Sequence, residues 1–239
     1  MKSKCLIGLL FFCVTYLTAQ SGKAIYSKEL TSLNNDISNL SLKQKSYRKQ
    51  ILKNLQNWNY QLDFNNKKAS YAKQESLHIK TNPVINSMTL GFANFSGSIY
   101  FDTAQDIVLN IKEFDGEKYI IKKNKINWTL SKDTLQIDNY LCYKATTIEN
   151  ISYSGKEQQI KIIAWYSPEI SLSFGPDGYG GLPGIIMKLE KNGTTTTLKE
   201  ILFSKKNTEA IIKPSNGKVV TEDEFNKITS LAYNNIKNK

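Results

Sequence analysis

The sequence predicts an α+β domain that is mainly antiparallel β: a curved or partly closed β-sheet or barrel with one early helix and a C-terminal helix. Three observations carry this expectation. Short apolar runs recur in series with turn dipeptides between them, Asp115-Gly116 and Asn192-Gly193 among them. The apolar spacing changes to three and four only over residues 40–55 and again after Thr221. The 239 residues, 40% hydrophobic and 22% charged, suffice for one buried core, and a mean hydropathy of −0.40 excludes a polytopic membrane protein.

Along the chain, Lys2 and Lys4 precede an apolar run from Cys5 to Leu17, and Thr18-Ala19-Gln20 offers a small residue for processing. This predicts a signal peptide over residues 1–19, and a single domain over 20–239 exported to the periplasm or the outer-membrane periphery. Residues 22–32 read as a strand. Leu40, Tyr47, Ile51, Leu52 and Leu55 then mark an amphipathic helix. Trp58, Tyr60, Leu62 and Phe64 alternate with polar residues and lead through Asn65-Asn66-Lys67 into a second run, a hairpin with one buried face. Residues 78–97, with Pro83, Gly91 and Gly97, show little periodicity and read as an irregular connection. Further hairpins follow: 107–114 with 119–121, 126–130 with 135–137, 143–148 with 158–166 around Ser154-Gly155, and 185–189 with 194–203. Thr221 and Glu224 form a capping box that opens a helix to about Lys237, with Phe225, Ile228, Ala232 and Ile236 on one face. Nine or ten strands result.

Composition removes most familiar chemistries. After processing Cys142 is the sole cysteine, so no intrachain disulfide is expected and buried packing is its ordinary role. His78 is the sole histidine, and with one thiol no His-rich or CxxC metal site can be assembled. No GxSxG, Walker or dinucleotide motif occurs. We expect no cofactor, no metal and no catalytic set. The formal charge of +11 falls to +9 without Lys2 and Lys4, and Arg48 is the only arginine, so the forks that read guanine or clamp phosphate are missing. Nucleic acid is therefore not expected as a partner, and membrane association is peripheral at most. Among the carboxylates, Glu169 and Asp177 flank the densest glycine and proline region and are the best acid candidates for a glycosidase-like pair.

That region carries the strongest local signal. Five of the thirteen glycines fall between Gly175 and Gly184, interleaved with Pro176 and Pro183. In Gly181-Leu182-Pro183-Gly184, proline presets a turn and glycine takes a positive φ. Such a segment is either a corner that reverses the sheet or a ligand-approach loop lined by Trp165, Tyr166, Tyr179, Leu182 and Pro183. Cys142, Gly175, Pro176, Gly180, Gly181 and Gly184 form the motif's structural frame.

Cys142-Tyr143-Lys144-Ala145-Thr146, Ala164-Trp165-Tyr166, Pro168-Glu169-Ile170, Gly175-Pro176 and Gly180-Gly181-Leu182-Pro183-Gly184-Ile185-Ile186 together resemble the GLPGLI family of exported Bacteroidetes proteins. Tyr60 to Phe64, Trp128-Thr129-Leu130 and Ile25-Tyr26 match weaker motifs of that family. The sequence departs in Ile185-Ile186 and in Gly155-Lys156, where Gly-Arg is common. The resemblance implies an envelope protein without an established activity and transfers no catalytic residue. A non-enzymatic module binding an apolar or amphiphilic ligand, or an outer-membrane or periplasmic protein, is the favoured expectation. The alternative is a hydrolase or thiol-dependent enzyme centred on Cys142, with Lys144, Glu169 and Tyr166.

Overall fold

The structure is a computed structural model that describes residues 21–31, 38–65, 67–75, 82–153, 156–204 and 210–237. The signal segment, His78 and the Ser154-Gly155 turn lie outside the described residues, as does the side chain of Ile236. In chain order the elements are β1 (Ser21–Leu30), α1 (Leu42–Asn57), β2 (Asn59–Asn65), β3 (Lys68–Lys73), α2 (Pro83–Phe92), β4 (Ser98–Asp102), β5 (Ile107–Phe114) and β6 (Glu117–Lys122). They continue as β7 (Thr129–Ile137), β8 (Tyr140–Tyr153), β9 (Lys156–Ser167), β10 (Ile185–Lys191), β11 (Thr194–Ser204), β12 (Lys218–Thr221) and α3 (Glu222–Lys237).

All twelve strands share one sheet in the order β12-β6-β5-β4-β3-β2-β1-β11-β10-β9-β8-β7. Every pairing is antiparallel except β12 with β6. The tight turns are of the predicted kind: Asp115 and Gly116 have φ 52 and 75, Asn192 and Gly193 φ 45 and 74, as a type I′ turn requires.

The sheet is open at β12 and β7, yet it must curl. β6 and β7 stand ten strand intervals apart in the sheet, about 48 Å if it were flat. The six residues 123–128 join them, and that connector reaches at most about 25 Å. The short connector therefore draws the two ends of the sheet toward each other and makes a deep concave face.

The inner face is set by alternation. Ala24, Tyr26 and Lys28 of β1, Tyr60, Leu62 and Phe64 of β2, and Ala69 and Tyr71 of β3 are all 2% exposed or less. Segment 168–184 folds into this concavity: Ile170, Leu172 and Phe174 join the same core as Tyr26, Tyr60, Tyr71 and Phe101. Phe174 packs on Phe101 at 5.7 Å, and the Phe174 and Ile170 carbonyls accept from Ile186 N and Ile185 N at 3.2 and 3.1 Å. The glycine and proline segment is thus an internal plug.

Both expected helices form. Ser41 caps α1, with Gln44 N donating to Ser41 Oγ at 3.3 Å and Ser41 N to Gln44 Oε1 at 2.8 Å. At α3, Thr221 N donates to Glu224 Oε2 at 2.7 Å and Glu224 N to Thr221 Oγ1 at 3.2 Å. Phe225 anchors α3 on the sheet, 5.2 Å from Tyr119 and 6.0 Å from Phe114.

Four expectations are corrected. Residues 78–97 contain α2, whose N-cap Asn82 accepts from Val84 N at 2.9 Å and whose first turn holds Pro83, a residue suited to that position. Residues 126–130 and 135–137 are not a hairpin: Thr129–Ile137 is one edge strand with an irregularity between Leu130 and Thr134. β4 was not expected because it lacks alternation. Its inner residues Ile99 and Phe101 meet the plug-side core, while Tyr100 packs outward with Leu109, Ile111 and Ile211. β12 pairs parallel with β6 across the chain, a contact without local sequence pattern.

Candidate functional site

The two ends of the curled sheet leave a cavity of about 510 Å³. Asn110 and Lys112 of β5, Ile121 of β6, Lys123 beyond it, Thr147 and Glu149 of β8, Asp177 and Tyr179 of the plug, and the start of α3 line it. The strand residues enter in pairs two apart because alternate residues share a face. Another depression, about 470 Å³, lies beside β2 and β3 between Gln61, Asp63 and Ser70. Its amides and carboxylate bond to one another, Gln61 Nε2 to Asp63 Oδ1 at 2.8 Å and Gln74 Nε2 to Gln61 Oε1 at 2.6 Å.

At the base of the inner cavity, Pro176–Gly178 forms a single 3₁₀ turn in which Asp177 takes φ 58, ψ 19. That conformation is one that aspartate tolerates better than most residues. It directs the carboxylate to Lys28, with which it forms a buried ion pair. Lys28 Nζ also donates to Ala93 O at 3.0 Å and stands 4.9 Å from the Tyr60 ring centre and 5.5 Å from that of Phe95. Burial pushes the Lys28 ammonium below its ordinary pKa, and Asp177 opposes that shift. Burial, then the Asp177 charge, raises the phenols of Tyr26, Tyr60 and Tyr71, so all three are neutral. Tyr26 donates to Ile186 O at 3.0 Å. The Tyr71 hydroxyl lies against the Asp177 carboxylate, while the Tyr60 hydroxyl has no hydrogen-bond partner among the described residues.

The upper wall is also charged. The Tyr179 hydroxyl bonds to Glu149, and Lys191 Nζ donates to Glu149 Oε2 at 3.0 Å. Burial raises the Glu149 carboxyl, but the Lys191 charge and the Tyr179 bond outweigh it and hold the group below its usual range. Lys123 Nζ donates to Glu222 Oε1 at 2.9 Å. Each of these carboxylates is held by an ammonium, Asp177 by Lys28, Glu149 by Lys191 and Glu222 by Lys123.

The structure gathers the sequence-predicted residues only in part. Tyr166, Tyr179 and Leu182 share one apolar cluster, and Trp128 joins it, its Nε1 donating to Gly180 O at 2.9 Å. Trp165 faces the main core on the other side of β9, under Lys144 Nζ at 5.7 Å. Pro183 is exposed. Of these five, Tyr179 alone lines the cavity. Gly175 and Pro176 are buried in the plug, and Gly180 and Gly181 turn at its exit. Glu169 accepts from Leu141 N at 3.1 Å and does not meet Asp177 in the cavity. Lys28, Asn110, Lys112 and Glu149 were not singled out from sequence. Lys28 left a readable signal, a charge in register with the inward residues Ala24 and Tyr26.

Cys142 is fully buried beside Tyr140 O, 3.7 Å from its Sγ. Burial first, then the Glu169 charge, pushes its thiol up to about 11. A neutral thiol reagent at pH 7 is expected to label Cys142 only at the rate of unfolding, with denaturant abolishing the protection. Rapid stoichiometric labelling of folded protein would favour the thiol-enzyme alternative. Among the described residues, no group of three or more His, Cys, Asp and Glu side chains could hold a metal.

Comparison with known proteins places part of this region in context. The model of a family described as "Protein of unknown function (Porph_ging)" matches residues 152–188, which hold β9, the plug and the start of β10. No curated protein matches the sequence. Solved structures of PNGF-II in the P21 and C2 space groups are similar in fold, with TM-scores of 0.52 and 0.51 and 14% identity. Each match covers 88% of this chain and only 33% or 32% of the PNGF-II chain, so this chain spans about one third of their length. At that identity the likeness concerns the fold alone.

Proposed function

We propose that the chain is a non-enzymatic binding module of the cell envelope, related to the GLPGLI proteins, whose concave cavity takes a small polar ligand. The observation that carries this reading is the division of the concave face. The apolar part is filled by the plug, with Ile170, Leu172 and Phe174 all 4% exposed or less, which leaves no open greasy pocket there for a lipid-like guest. The remaining space has a volume of about 510 Å³, and its wall is mostly amides and charged side chains, with Ile121, Ile148 and Phe225 among the fewer apolar ones. That size falls in the range of about 300–1,000 Å³ common for small-molecule sites. An apolar or amphiphilic guest would strand these polar groups out of water without partners, at a cost of about 1–3 kcal/mol for each.

Native mass spectrometry of protein purified from its own source tests the reading. Wild type is expected to carry an additional bound mass. Thr147→Trp, which fills the cavity from β8, is expected to lose that mass while keeping the wild-type circular dichroism spectrum. A bare wild-type protein, or a bound mass that survives in folded Thr147→Trp, would overturn the cavity as the site.

A further inference from the structure

The helices α1 and α2 divide their chemistry sharply. α1 carries Lys43, Lys45, Arg48, Lys49 and Lys53 and no acidic residue, so it holds five of the nine net positive charges that remain once Lys2 and Lys4 are set aside. Lys45, Lys49 and Lys53 follow one another at single-turn spacing on the side of the helix away from Ile51 and Leu55, which enter the core. Among the described residues no carboxylate is recorded pairing with any of the three. Lys43 and Lys45 lie in the first turn, where the helix dipole disfavours cations and no acidic residue offsets them. Those positions weaken the helix, which points to a use beyond the fold. α2, by contrast, has no charged residue at all. Its Ile85 and Thr89 face the core at 2% and 0% exposed, while Val84, Met88 and Phe92 form a row at the same spacing that is 57%, 38% and 38% exposed. Leu42, 86% exposed, adds an apolar group two turns before Lys49.

The two helices lie side by side, Asn54 Nδ2 donating to Asn86 Oδ1 at 3.4 Å and to Thr89 Oγ1 at 3.3 Å. The end of α2 is fixed as well, with Thr194 Oγ1 donating to Phe92 O at 2.7 Å and Asn94 Nδ2 to Thr194 Oγ1 at 2.8 Å. A basic row and an apolar row, each about 12 Å long, are therefore presented by one packed layer. An anionic surface with an apolar interior beneath it satisfies both rows at once: the ammonium groups meet head groups, and Val84, Met88 and Phe92 enter the acyl boundary. A protein partner fits less well. Protein interfaces are enriched in arginine and depleted in lysine, and the three apolar side chains line neither of the cavities described above. No described helix is long and apolar enough to cross a membrane, so α1 and α2 would lie on a bilayer.

We infer that α1 and α2 form a docking face for an anionic lipid bilayer, with Lys45, Lys49 and Lys53 on the head groups and Val84, Met88 and Phe92 below them. The face is separate from the cavity and does not depend on a ligand there. Co-sedimentation of residues 20–239 with vesicles tests this, the run Cys5–Leu17 being left out because so apolar a segment enters lipid by itself. The probes are vesicles of phosphatidylcholine alone and of an equimolar mixture with phosphatidylglycerol. Wild type is expected to bind the mixed vesicles about a hundredfold or more tightly than the neutral ones, and rising salt to shrink the difference. Lys45→Gln/Lys49→Gln/Lys53→Gln is expected to bring binding on mixed vesicles close to that on neutral ones, with the melting temperature unchanged or raised. Val84→Ser/Met88→Ser is expected to lose about tenfold or more on mixed vesicles with the wild-type circular dichroism spectrum. Thr147→Trp, which fills the cavity, is expected to bind as wild type does. No preference for the mixed vesicles, or a preference that survives in the folded triple lysine variant, would overturn the inference. Full binding by folded Val84→Ser/Met88→Ser would also overturn it, and tight retention on polyglutamate would then mark the face as one for an acidic polypeptide.

Discussion

Replacing Lys28 by methionine is expected to destabilise the fold by about 3–5 kcal/mol, read as a lowered urea midpoint at unchanged m-value. The side chain is 2% exposed, and its ammonium is the only ionic partner recorded for Asp177 among the described residues. Without it, a carboxylate remains inside the core next to the Tyr60 and Tyr71 hydroxyls, and the Ala93 carbonyl loses its donor. The effect belongs to the uncompensated charge more than to the attraction of the pair, since burying both ions already costs desolvation energy that their attraction must offset. The double variant Lys28→Met/Asp177→Asn separates these contributions. Asparagine accepts the left-handed backbone that Asp177 adopts at φ 58, so the double variant is expected to recover a large part of the loss. A single variant within about 1 kcal/mol of wild type, or a double variant no better than the sum of the two singles, would show that the plug is held by its apolar contacts alone.

Gly184→Ala is expected to be at least as damaging, about 3 kcal/mol or more, whereas Gly181→Ala in the same motif costs about 1–2 kcal/mol. The reasons differ. A Cβ on Gly184 would sit 2.1 Å from Ser167 O, 2.5 Å from Ser167 C and 2.8 Å from Pro168 N, all backbone atoms where β9 leaves the sheet. Nothing there is the yielding end of a side chain, so Ile185 must lose its register with Ser167. A Cβ on Gly181 meets no atom within 4 Å, and its cost is the φ of 80 alone. The positive φ expected at the Leu-Pro-Gly turn therefore belongs to Gly181, and Gly184 is required by close approach. Urea melts of the two variants check this order, and a Gly184→Ala protein as stable as Gly181→Ala would refute the packing argument.

These two experiments mark how far the sequence could be read. Hairpins joined by Asp115-Gly116 and Asn192-Gly193, and the capping boxes of α1 and α3, were legible because local backbone chemistry specifies them within a few residues. β4 was illegible because both its faces are covered, which removes the alternation that identifies a strand. The candidate site was legible at two points, where Asp177 stood out as an acid and Tyr179 as an aromatic within one dense run of glycines. The partner of Asp177, Lys28, is 149 residues away in the chain, and the pairing depends on the whole sheet curling between them. Glu169, equally prominent in sequence, ends at a strand margin holding a backbone amide.

Local chemistry along the chain specifies the class of the protein: an antiparallel β domain with two capped helices, poor in thiols and imidazoles, with a region of exacting backbone geometry between β9 and β10. Local rules suffice for such properties, since turn chemistry, capping and alternation act over neighbouring residues. The tertiary structure decided where that region goes and what remains around it. A connector of six residues between nearly opposite ends of a twelve-stranded sheet forces the concavity, and the plug fills its apolar part. The space left over is largely polar because Asn110 and Lys112 of β5, Glu149 of β8 and Asp177 of the plug come from three separate stretches of chain that only the curl brings to one wall.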